Sequence, residues 1–253
     1  VLPRVTATAY LTPLREGGSL PGLVEADDDG TYVVKFTGAG QGPKALVAEI
    51  VVAELARRVG LRVPELAVIE LDPELGRREP DEEVQDLLLA SPGPNLAVDF
   101  LPGSMGFDWR TFRLGRDEAS RVLWLDGLVG NVDRSARNPN LLVWHGDLWL
   151  IDHGASLWFH HAWVATGAFA ASPYRWDDHV LQPFGDAREV HAELADRVDG
   201  AGVDAALDLV PEAWLEPDPR RPDPRGPADA AEARARYRDH LLTRLAQADR
   251  WLP

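Results

Sequence analysis

The stretch GNVDRSARNPNLL, from Gly130 to Leu142, gathers Asp133, Arg134, Arg137 and Asn138 between an apolar helical run and a Trp/Leu-rich segment. A carboxylate that takes a proton from a hydroxyl nucleophile, and a carboxamide oxygen that ligates a divalent cation, need a short tight loop between them. Asp133 and Asn138 stand in that relation, although Asx turns and helix N-caps use the same residue types and that reading stays open. Asp152 in LWLIDHG ends an apolar run, where a carboxylate is costly unless it is paired or bound to a cation. Upstream, Lys35 in TYVVKF is one of only two lysines among 26 cationic residues, the other being Lys44. A compact ammonium on a rigid strand suits phosphate oxygens, because a point charge bridges two of them without the fork geometry of Arg. A solvated strand cation is the plainer alternative. Glu49 on the helix that follows is the candidate partner of Lys35, and Glu54 on the same helix is a rival.

Composition removes several other functions. The 253 residues are 45% hydrophobic and 26% charged, as in an ordinary soluble globular protein, and the length allows one large domain or two lobes. A net charge of -15 with no basic patch argues against nucleic acid and anionic membrane as partners. No run approaches the roughly 18 uncharged apolar residues of a membrane span, and the N-terminus does not have the form of a secretory signal. A cytoplasmic protein is therefore expected. The absence of cysteine excludes disulfides, thiolate nucleophiles and zinc-thiolate sites, and no G-x-S-x-G elbow is present. The cluster TGAGQGPKA fails the dinucleotide fingerprint at Pro43 and the P-loop pattern at Gly42–Ala45, and reads as a flexible strand-to-helix connection. His160 and His161, read as strand neighbours on opposite faces, suit packing or hydrogen bonding better than a metal. Trp144, Trp149, Trp158 and Trp163 read as core and interlobe packing.

The elements that must position these groups follow from periodicity. RVTATAYLTPL, GLVEAD and TYVVKF read as strands, with the turn REGGSLPG between the first two. KALVAEIVVAELARRVG has helical spacing with Gly60 as its C-cap, and LRVPELAVIELD and NLAVDF are strand-like. REPDEEVQDLLLASPGP reads as an acidic helical or loop insertion. Beyond Pro102 and Gly103 come a helix in DEASRVLWLDGLVG, two short strands around an HGD turn, and helices to the C-terminus. The expected fold class is α+β, with a β-rich N-terminal lobe over residues 1–101 and a mostly helical lobe over residues 102–253.

Taken in order, VVKF, AEIVVAELARRVGLRVPE, NLAVDFLPG, NVDRSARN and LIDHG resemble the HipA family of bacterial kinases and its phosphoinositide-kinase-like relatives. The resemblance implies a two-lobed protein-kinase-like fold and an ATP- and Mg²⁺-dependent serine/threonine kinase acting on a protein or peptide hydroxyl. It implies that Lys35 holds the ATP phosphates and is positioned by Glu49, and that Gly17, Gly18 and Ser19 cover the phosphates. Ser19 is then the candidate for autophosphorylation. Phe100 and Leu101 would offer hinge backbone groups to adenine, Asp133 would be the catalytic carboxylate, and Asn138 and Asp152 would hold Mg²⁺. The His-Arg-Asp order of many protein kinases is absent, and His153 stands where Phe is usual in the metal motif. The chain begins almost at the nucleotide lobe, so the likeness is to a short form without the N-terminal subdomain of full-length HipA toxins. A small-molecule kinase, a nucleotidyl transferase on the same fold, and a pseudokinase that only binds nucleotide are the competing readings.

Overall fold

The computed structural model describes residues 1–15, 20–77, 79–163, 169–218 and 223–253. Backbone contacts divide the chain into two compact units. The first comprises Val1–Leu46 and Pro64–Pro102, and the second Val47–Val63 and Gly103–Pro253. Most of the first long helix thus groups with the second unit.

In the first unit burial alternates along β1 (Arg4–Pro13) and β2 (Gly22–Ala26), Val34 is the buried residue of β3 (Thr31–Lys35), and β4 (Leu66–Leu71) and the middle of β5 (Gly93–Asp99) are buried on both faces. The strands are ordered β1-β2-β3-β5-β4 in a closed barrel. All pairs are antiparallel except β1 with β4, where Arg4, Val5 and Thr6 face Val68, Ile69 and Glu70 in parallel. The sheet therefore closes on itself, which removes its edges. Val5, Ala7, Val24, Val34, Phe36, Ile69 and Ala97 fill the interior together with Val84 and Leu88. The last two come from a helix in the acidic insertion, α3 (Glu82–Leu89), which follows the single turn α2 (Pro73–Gly76). Asp81 caps α3 by accepting from Glu83 N at 3.1 Å, as an N-cap carboxylate does.

The glycine-rich connection after β3 is less loose than its composition suggests. Asn95 Oδ1 accepts from Thr37 N at 2.8 Å, and Ser91 Oγ accepts from Gly38 N at 3.0 Å. A Cβ on Gly38 would lie 2.6 Å from that Oγ, whereas Gly40 has open space around it. The start of the connection is pinned and only its later part is open.

α1 (Pro43–Arg58) begins after this connection, and Gly60 follows it in the left-handed region at φ 81°. In the second unit, α4 (Arg116–Val129) starts with an exposed charged turn and is buried on nearly every side from Val122 to Val129, where its residues are mostly apolar. It packs against α6 (Ala187–Arg197), where Trp124 Nε1 donates to His191 Nδ1 at 3.0 Å. Three short strands, β6 (Met105–Gly106), β7 (Leu141–Trp144) and β8 (Asp147–Leu150), form a second sheet. Further α-helices among the described residues are α5 (Phe159–Ala162), α7 (Gly200–Leu207), α8 (Glu212–Leu215) and α9 (Ala230–Ala246). His160 lies in helical α5, not in a strand; one ring nitrogen meets Tyr237 Oη at 2.8 Å and the other meets His161 at 3.1 Å. Trp163 is buried as expected, but Trp158 is 44% exposed. Among the described residues no helix is long and apolar enough to cross a membrane.

Candidate functional site

Helix α4 carries the chain into the polar stretch and stops there. Gly130, at φ 66° and ψ 41°, takes the left-handed cap conformation and its N–H returns to Asp126 O. A side chain at that position would strain the backbone, so a glycine ends the helix sharply. The loop that follows folds back on its own side chains. Asn131 Oδ1 accepts from Asp133 N at 3.1 Å, and Ser135 N donates to Asn138 O at 3.0 Å. Asn138 Nδ2 donates to Asp133 Oδ2 at 2.8 Å, and Asn140 Nδ2 donates to Asp133 O at 3.2 Å. The two residues singled out by spacing are therefore hydrogen-bonded to each other. Because the carboxylate must receive an N–H, Asn138 Oδ1 is directed away from Asp133.

Behind this loop lies a buried polar centre. Asp126, on α4 and wholly inaccessible, accepts from Asn131 Nδ2 at 3.0 Å, from Arg134 Nε at 2.5 Å and from His179 Nε2 at 2.9 Å. Burial by itself would raise its pKa, but the Arg134 charge and the His179 hydrogen bond overcome that and hold the carboxyl well below the usual range. Arg134 also donates to Asn140 O at 2.5 Å, and its Nη2 lies 3.4 Å from His153 Nδ1.

Asp152 follows β8 in the left-handed region at φ 54°, an uncommon conformation for a residue with a side chain. The next two amides account for how the turn is held. Glu49, buried on α1, accepts from His153 N at 2.9 Å through one oxygen and from Gly154 N at 2.7 Å through the other. Ile151 N donates to Asn140 O at 3.1 Å, which ties this turn to the end of the polar loop. Glu54, the rival to Glu49, pairs with Arg57 one turn along the helix.

In the first unit, Lys35 ends β3 opposite Leu96 of β5. Val34 is in the barrel core, so strand alternation puts Lys35 on the outer face. Phe100 N donates to Thr31 O at 3.1 Å, which leaves the Phe100 carbonyl and the Leu101 amide as the candidate hinge groups. Gly17, Gly18 and Ser19 lie outside the described residues.

A divalent cation fits the donor chemistry of Asn138 and Asp152. A carboxamide oxygen and a carboxylate are hard oxygen ligands of the kind Mg²⁺ takes, with water and phosphate oxygens completing the shell. Among the described residues no three His, Cys, Asp or Glu side chains converge as a protein-only metal cage.

Several residues of this site carried a weaker signal than Asp133. Asp126 is a lone carboxylate inside the apolar run RVLWLDGLVG, a placement that requires a buried partner. Its partners Arg134 and His179 are 8 and 53 residues away, and no local pattern connects them. Asn140 stands in the Asn-Pro-Asn that follows the loop.

The model of HipA-like kinases matches residues 9–251. No curated protein matches the chain in sequence. Among solved structures it is similar to the Helicobacter pylori proinflammatory kinase CtkA, with a TM-score of 0.53 and 13% identity over 94% of this chain and 93% of that one. That likeness is one of fold. A Golgi casein kinase aligns with a TM-score of 0.42 and 13% identity over 98% of this chain and 74% of that one. The Golgi casein kinase with Mn/ADP bound aligns at 0.44 and 12% over 97% and 73%.

Proposed function

Because the chain belongs to the HipA-like kinase family, we propose that it is an ATP- and Mg²⁺-dependent kinase that phosphorylates a serine or threonine hydroxyl of a protein or peptide. The observation that carries this reading is the Asp133–Asn138 hydrogen bond at 2.8 Å in a loop that also meets the Asp152 turn through Asn140. Asn138 and Asp152 hold the metal, which when bound neutralises charge on the transferred phosphoryl group. Lys35 holds the ATP phosphates and Glu49 positions it, while Glu49 also fixes the backbone behind Asp152. Asp133 orients the acceptor hydroxyl and takes its proton as the oxygen bonds to the γ-phosphorus and the bond to the ADP oxygen breaks. Phe100 O and Leu101 N serve adenine. The loop bearing Gly17, Gly18 and Ser19 covers the phosphates, and Ser19 is its candidate autophosphorylation site.

The test is incubation of the full chain with ATP labelled in the γ position, Mg²⁺ and a serine/threonine peptide library, followed by intact-mass analysis. Phosphate-sized additions to the chain or to peptides are expected, and Asp133→Ala should abolish them. AMP-sized additions would instead establish nucleotidyl transfer. Nucleotide binding that raises the unfolding temperature without any transfer would establish a pseudokinase.

A further inference from the structure

The Asp126 centre joins two stretches of chain that are far apart in sequence. Asn131 and Arg134 reach Asp126 from the polar loop, whereas His179 reaches it from the 174–181 segment. That segment meets the loop at further points. Tyr174 Oη donates to Asn131 O at 2.6 Å, Val180 N donates to Arg134 O at 3.1 Å, and Ser135 and His179 form an antiparallel bridge. Leu181 N donates to His179 Nδ1 at 3.1 Å, so Nε2 is the nitrogen that carries the proton facing Asp126. Arg134 closes the far end of the loop on Asn140 O, and Asp133 and Asn138 lie between these anchor points.

A buried ion pair is weak evidence of stabilisation, because desolvation offsets the attraction. Three donors from two segments on one carboxylate are instead a geometric constraint. We propose that Asp126 is a positioning residue for phosphoryl transfer: it fixes the Asp133–Asn138 span and, through His179, makes that span depend on the docking of the 174–181 segment. The proposal rests on the reading of Asp133 as the catalytic carboxylate.

His179→Phe removes the donor and keeps a ring, and His179→Gln restores an N–H donor; both leave the Asp126–Arg134 pair in place. Two readouts apply to the full chain: kcat and KM for ATP, and amide hydrogen exchange over residues 131–140. His179→Phe should lower kcat by about tenfold to a hundredfold, as misplacement of a catalytic group does, with KM for ATP unchanged. It should also speed exchange in the loop while leaving the barrel strands as they were. His179→Gln should restore most of both. Should the Phe variant not fold, Tyr174→Phe removes the hydrogen bond to Asn131 O and should show the same split on a smaller scale. An unchanged kcat alongside a lowered unfolding temperature would make the centre merely structural and overturn the proposal. If the wild type transfers no phosphate at all, the kinase reading fails, but exchange still decides the coupling: unchanged loop protection in His179→Phe refutes it, and selective loss of protection upholds it.

Discussion

The barrel of the first unit and the Asp126 centre of the second are both inaccessible to water, yet they are built from opposite materials. Val5, Val24, Val34 and Ile69 fill the barrel with apolar groups whose attraction is non-directional, so similar volumes can replace one another. Asp126, Arg134, Asn131 and His179 fill the other with charges and hydrogen bonds that each demand a direction. The first kind of core holds strands together. The second holds particular atoms in place, and it lies directly behind the loop that carries Asp133 and Asn138.

The largest effect that would sharpen this contrast is expected from Asp126→Ala. It strips the partner from a buried Arg134 and should cost about 3–5 kcal/mol of stability in urea denaturation. A loss below about 1 kcal/mol would put the two cores on the same footing. Acid should weaken the same centre. The folded pKa of Asp126 is depressed, so its contribution is complete above the unfolded carboxylate value of about 3.9 and is lost as pH falls from there toward the folded value. Unfolding temperatures measured down the acid range should therefore fall less steeply for Asp126→Asn than for the wild type. Gly127→Ala comes next: a Cβ there would lie 2.8 Å from Trp176 and 2.9 Å from Trp251, and overpacking of this kind costs about 1–3 kcal/mol. The smallest effect is expected in the barrel, where Ile69→Val should cost about 0.5–1.5 kcal/mol and leave turnover unchanged. A drop in turnover with Ile69→Val would show that the barrel core also sets catalytic geometry.

Much of the barrel was legible because its signal is local. Alternation in TATAYL and the β-branched and aromatic residues of TYVVKF mark strands, and helical spacing in KALVAEIVVAELARRVG marks α1, from neighbouring residues alone. Closure was not legible, since the parallel pairing of Arg4–Thr6 with Val68–Glu70 joins segments that have no signature in common. The same division runs through the site. Asp133 and Asn138 could be paired from their spacing, five residues apart, and they are hydrogen-bonded. The tie from Glu49 to the amides of His153 and Gly154 spans more than a hundred residues, and only the fold reveals it. His160 shows a local error: β-like neighbours suggested a strand, but packing against Tyr237 accompanies a helical turn there.

The proposed role of Asp133 is that of the catalytic carboxylate, held in place by this polar centre. Its most direct test compares wild type with Asp133→Asn in single-turnover phosphoryl transfer at saturating ATP and Mg²⁺. Asn keeps the shape and the loop contacts but cannot take a proton. Nucleotide should raise the unfolding temperature of both proteins equally, while transfer falls by about a hundredfold or more in the variant. Equal transfer rates in the two proteins would contradict it.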